Sequence, residues 1–110
     1  MGQNAIEFAK TFSFNSSIDY SNKSIVSKKI ISAKGGNISL FAFDKGEELS
    51  EHTAPFDALV QILDGKAEIK IEGLINEVNK GESIIMPANK PHALRAMESF
   101  KMLLTMLKTE

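Results

Sequence analysis

The chain contains no cysteine and no tryptophan, and tyrosine occurs once. Without thiols there is no disulfide scaffold, no thiol nucleophile and no cysteine-ligated zinc or iron–sulfur site. The absence also fits a reducing compartment, so a cytoplasmic location is expected. Charge of one sign is missing too: thirteen basic residues stand against fourteen acidic ones, a formal net charge of -1. A protein that neutralises many phosphates carries a clear positive excess, so nucleic acid is not an expected partner. No apolar run approaches the ~20 residues of a membrane-spanning helix, so no membrane partner is expected either. The first residues, MGQNAIEFAK, have no basic segment followed by an apolar one, and no signal peptide is expected. Ile6 breaks the myristoylation pattern.

What is present is ordinary globular material: 43% hydrophobic and 25% charged over 110 residues, enough for one domain with one core. The first 23 residues differ from the rest. Ile6, Phe8, Phe12 and Phe14 are apolar, and a Ser/Asn-rich stretch (Asn15, Ser16, Ser17, Ser21, Asn22) follows. Ala5–Phe12 has the length of one or two helical turns; the Ser/Asn stretch reads as an extended arm or loop. Three exposed phenylalanines would be a hazard, so the arm is expected to pack on its own domain or on a second subunit.

From Ser24 onward the chain reads as short strands. Residues 24–33 hold Ile25, Val26, Ile30 and Ile31 and are followed by a Gly-Gly turn at Gly35 and Gly36. Residues 37–43 alternate, with Ile38, Leu40 and Ala42 on one face and Ser39, Phe41 and Phe43 on the other. Residues 57–64 are almost wholly apolar, as expected of a strand covered on both faces. Residues 66–72 alternate Lys/Glu with Ala67, Ile69 and Ile71, which predicts one solvated face. Further strands are expected at 74–79, 82–86, 92–97 and 99–107. The last is also compatible with a helix, but the spacing of its neighbours favours a strand. Eight to nine short strands with frequent turns predict an all-β fold: a sandwich or small barrel of two antiparallel sheets.

Two glycine-bounded segments stand out. The first runs from Gly46 through His52, Thr53, Ala54 and Ala58 to Gly65. The second runs from Gly81 through Pro87, Asn89 and His92 to Ala96. Over about residues 36–107 their spacings resemble a small single-domain cupin. That resemblance implies a jelly-roll barrel over residues 36–110, preceded by an arm and first strand over 1–35. It also implies a homodimer, often with N-terminal strands exchanged, and a transition metal held by three His and one Glu. In register, the first, and the last, of the three histidines are His52 and His92. The other histidine is Ala54, the glutamate is Ala58, the glycine of the second motif is Asn89 and its final asparagine is Ala96.

Two imidazoles and no carboxylate make a poor divalent site, since a catalytic zinc needs three protein ligands. Asp57 and Leu59 flank Ala58 and point to the other face of their strand; Glu51 beside His52 does the same unless a bulge re-aims it. Methionines 86, 97, 102 and 106 are the soft donors of the strand region and read first as core, with copper(I) the metal their thioethers would suit. Gln61 and Arg95 fall on faces turned away from the cavity. The expected site is therefore a mostly apolar cavity with a few polar groups, His52, His92, Thr53 and Asn89, with Phe56 at its mouth. The expected function is binding of a small organic molecule without a tightly bound metal. The alternatives are an atypical metal-dependent oxygenase or isomerase with His52 and His92 as ligands, and a pair of structural histidines with function on an outer face.

Overall fold

The computed structural model describes residues 6–109. Nine strands follow one short 3-10 turn at Asn15–Ser17: β1 (Ile25–Ala33), β2 (Gly36–Phe43), β3 (Glu48–His52), β4 (Phe56–Asp64), β5 (Lys66–Ile71), β6 (Leu74–Asn79), β7 (Ser83–Met86), β8 (His92–Ala96) and β9 (Phe100–Lys108). They form two sheets, ordered β1-β2-β9-β4-β7 and β3-β8-β5-β6, with every pairing antiparallel. The strands expected from alternation lie within a residue or two of those observed, and the ambiguous last segment is a strand. No helix among the described residues is long and apolar enough to cross a membrane.

Alternation decides what each face does. Phe41 and Phe43 of β2, Ala58, Val60 and Ile62 of β4, Ala67 and Ile69 of β5, Leu94 and Ala96 of β8, and Phe100, Met102 and Leu104 of β9 meet in one core between the sheets. The outward residues of β5, Lys66, Glu68 and Lys70, stay partly solvated; Lys66 pairs with Glu77 and Glu68 with Arg95, each at 3.2 Å. Such surface pairs contribute about 0–1 kcal/mol, so they mark the outer face rather than hold the fold.

The core has a closed end. Phe43 and Phe100 are direct cross-strand partners, stacked with ring centroids 4.5 Å apart, and both are fully buried. Ala67 and Ala96, also partners, lie at the same end. The β4–β5 connection fixes this, because Gly65 joins the two strands against the backbone of Ser99 and Phe100. At Gly65 φ is +75°, and a Cβ would stand 1.9 Å from the Ser99 carbonyl oxygen. Glycine is required there twice over, for conformation and for space. Gly46 also has positive φ, +89°, but open space around it.

The arm packs on the barrel of its own chain. Ile18, 1% exposed, sits on the outer face of the five-stranded sheet among Leu40, Ala42 and Leu103, with Phe14, Tyr20 and Leu63 around it. The Tyr20 hydroxyl donates to the Asp64 carboxylate. Burial, and then that bond, hold the phenol well above its usual titration range. Lys101 Nζ donates to the Asn15 carbonyl at 2.6 Å and lies over the Tyr20 ring. The arm thus covers the second face of β2 and, on β4, Leu63 at its far end.

The expected helix at 5–12 does not form over its described residues, 6–12; Ala5 lies outside them. Phe8 and Ala9 make a turn, with Ala9 at φ +64°. A helix of two turns is marginal without a packed face, and Phe8 here is 79% exposed. The Ser/Asn stretch, expected as an extended arm or loop, is a loop with one 3-10 turn, where Ser17 Oγ donates to the Ser13 carbonyl at 2.6 Å.

Two substitutions test these assignments by urea unfolding. Gly46→Ala is expected to cost about 1–2 kcal/mol, the left-handed penalty alone, whereas Gly65→Ala adds a backbone clash and is expected to cost clearly more or to prevent folding. Ile18→Ala is expected to cost about 2–5 kcal/mol if the arm is part of the cooperative unit; a value near zero would mean that the arm docks independently.

Candidate ligand site at the open end of the barrel

The end of the barrel opposite the Phe43–Phe100 stack is built from the start of β4, the ends of β3, β7 and β9, and the start of β8. His52 and His92 face each other across the β3–β8 ladder as direct partners. A bulge makes this possible. Leu49 pairs with Leu94 and His52 with His92, so three steps along β3 match two along β8, and Ser50 and Glu51 share one opposing position. Leu49 and Leu94 belong to the core. Without the extra residue, His52 would fall on the outer face; with it, both imidazoles share the face of Leu94. The bulge thus re-aims His52 rather than Glu51.

The rings stand 4.4 Å apart, edge to face at 67°. His92 is 5% exposed, while His52, on the edge strand, is exposed. Each Nδ1 meets the carbonyl two residues before it: His52 with Ser50 at 2.8 Å and His92 with Lys90 at 3.0 Å. Burial lowers the pKa of His92 below the ordinary histidine value; the Lys90 carbonyl opposes that shift and the neighbouring His52 adds to it.

The facing sheet presents small and soft groups. Ala58, at the position of the missing glutamate, is paired with Met86 on β7 and Met106 on β9, so two methionines flank it on the same face. Phe56, half-buried, shares that face two residues earlier. Met86 and Met102 are buried, as the core reading of the methionines expects, and Met97 is the exposed one. Ala96, where the resemblance places an asparagine, is 3% exposed in the closed end, and its N–H and carbonyl bond to Glu47 O and Gly46 N. Gln61 and Arg95 face away from this interior, Arg95 toward Glu68.

Two loops frame the opening. Asn89 donates its backbone N–H to Ala54 O at 2.8 Å, and Ala88 donates to the Asp57 carboxylate at 2.9 Å. Asn89 has φ +64°, which explains an asparagine at a glycine position, since Asn enters the left-handed region more readily than most residues. Its side chain and that of Thr53 are exposed at the rim. The Asp57 contact has no sequence signal: its partner lies 31 residues away.

A metal held by the chain alone does not fit this donor set. Ala54 and Ala58 supply nothing, and among the described residues no group of three or more His, Cys, Asp or Glu side chains converges. Two imidazoles remain.

A two-sheet jelly-roll barrel with paired histidines at its open end is the architecture of a cupin. The cupin domain family matches residues 39–107, and the chain belongs to it. Among solved structures, a conserved protein of unknown function from Streptococcus pyogenes is 39% identical, with a TM-score of 0.91 over 97% of this chain and 94% of that one. A cupin 2 conserved barrel domain protein from Leptotrichia buccalis is 41% identical with a TM-score of 0.86; the match covers 88% of this chain but 47% of that one. A cupin superfamily protein from Desulfitobacterium hafniense is 27% identical with a TM-score of 0.88, covering 99% and 100%. No curated protein matches significantly.

The His92 environment predicts a pH dependence of stability. In the unfolded chain its imidazole takes a proton near 6.5; in the fold it does so only at lower pH. Above that ordinary value nothing is lost. As pH falls below it the unfolded state gains the proton first, so stability declines until the folded ring also titrates. Urea midpoints are expected to drop between pH 6.5 and 5, and His92→Gln is expected to flatten that segment of the curve.

Proposed function

We propose that the barrel binds a small organic molecule at its open end, between the histidine pair and the Ala58–Met86–Met106 wall, and that the chain alone holds no metal tightly. The observation that carries this reading is the composition of the interior end: two imidazoles on one wall, alanine and thioethers on the other, and no carboxylate. A mostly apolar pocket with a few convergent polar groups suits an organic ligand. Replacement of a histidine and a glutamate by alanine also leaves more room than a filled metal site would. Thr53, Asn89 and Phe56 at the rim are the further contacts of this proposal.

The metalloenzyme reading differs in its outcome. Elemental analysis of purified, untagged protein, with and without added Mn, Fe, Ni, Cu and Zn, is expected to give far less than one metal per chain. Near-stoichiometric metal that disappears in His52→Ala would replace the binding reading with the metal-dependent one. The proposal also includes a homodimer: Leu107 and Ile85 on the outer face of the five-stranded sheet are 58% and 61% exposed, beyond the area the arm covers. Light scattering is expected to give twice the 12.1 kDa chain mass.

A further inference from the structure

The two imidazoles carry more information than their positions. A backbone carbonyl only accepts hydrogen bonds. Each Nδ1 that lies 2.8 or 3.0 Å from a carbonyl oxygen must therefore bear the hydrogen. In an uncharged ring the proton then cannot also be on Nε2, and Nε2 is left as a bare acceptor. Among the described residues neither Nε2 has a hydrogen-bond partner. No side-chain nitrogen or oxygen among them is both fully buried and unpartnered. The Nε2 of His92, on a ring 5% exposed overall, therefore keeps contact with open space. Each imidazole of the pair, with ring centroids 4.4 Å apart, thus carries an Nε2 without a hydrogen when the ring is neutral.

We infer that the molecule taken by the barrel carries an uncharged hydroxyl-type head whose one hydrogen is shared, as a three-centre bond, between Nε2 of His52 and Nε2 of His92, with an apolar body against Ala58, Met86 and Met106. This rests on the binding reading above and narrows its ligand class. A carboxylate head is the wrong complement: it brings acceptors to acceptors and a charge into an interior without a counter-charge. An ether has the same body but no hydrogen to give, and a site built to accept a hydroxyl hydrogen discriminates against the analogue without one.

Three probes with one tolyl body separate these cases: para-cresol, its methyl ether and para-toluate. Binding to the full chain is read by chemical-shift titration at a pH above neutrality. Para-cresol is expected to bind about tenfold more tightly than the ether, the worth of one hydrogen bond, with para-toluate the weakest. In His52→Phe and His92→Phe the preference over the ether is expected to shrink toward one; His52→Phe, at an exposed strand end, carries this arm if His92→Phe fails to fold. Equal binding of cresol and ether, or tightest binding of toluate, would overturn the inference and leave the binding reading standing. No binding of any probe would count against the binding reading itself. Imidazole 15N shifts test the premise without a ligand: both rings are expected with Nδ1 protonated and Nε2 bare, and Nε2-protonated rings would overturn the inference whatever binds.

Discussion

The stacked pair Phe43–Phe100 closes one end of the barrel, and the rest of the arrangement depends on that closure. Two fully buried rings on adjacent strands fill the space between the sheets, and they tolerate only small neighbours, which Ala67 and Ala96 provide across the core. Interiors are packed nearly as tightly as organic crystals, so the two rings fill this end and leave no room for larger neighbours. Gly65 belongs to the same constraint. Its missing Cβ lets the β4–β5 turn press against Ser99 and Phe100. A side chain there would push apart the strands that hold the stack.

At the open end, the controlling device is a single inserted residue. Strand alternation would send His52 outward after Leu49, and the bulge at Ser50 and Glu51 restores it to the inner face. It does so on an edge strand, where a bulge disturbs the fewest ladder bonds. The carbonyls of Ser50 and Lys90 then fix both rings by the same device, a bond from Nδ1 two residues back. The geometry that would prepare two histidines as metal ligands is retained, while the rest of a ligand set is alanine. Orientation and coordination have come apart in this chain.

Much of this was legible in the residues. Alternation in 37–43 assigned both faces of β2, and the glycines, Pro87 and the two histidines announced the cupin barrel at the right spacings. What was not legible is long-range or conformational. The bulge that aligns His52 leaves no signature in EELSE, because any residue can be the extra one. The Asp57–Ala88 bond joins groups 31 residues apart in sequence. The 5–12 segment has apolar residues enough for a short amphipathic helix, but its described part turns at Ala9 and leaves Phe8 in solvent. Burial of the arm on the five-stranded sheet turned on Ile18, an apolar residue in a polar stretch, which alternation could not single out.

The methionines connect stability to function. Ala58 removes a charged side chain from the interior and, with it, volume that the opposite wall must manage. Met86 and Met106 flank that position, and an unbranched thioether with three rotatable bonds can fill a gap or withdraw from it at low cost. A leucine pair in the same place would pack one shape well and resist others. The closed end, built of rigid aromatic rings and fixed glycine geometry, therefore carries the specificity of the fold. The open end, built of methionine and alanine facing two oriented imidazoles, keeps its shape adjustable and its polar groups fixed. Adjustable walls accommodate the body of a guest; fixed acceptors select its head.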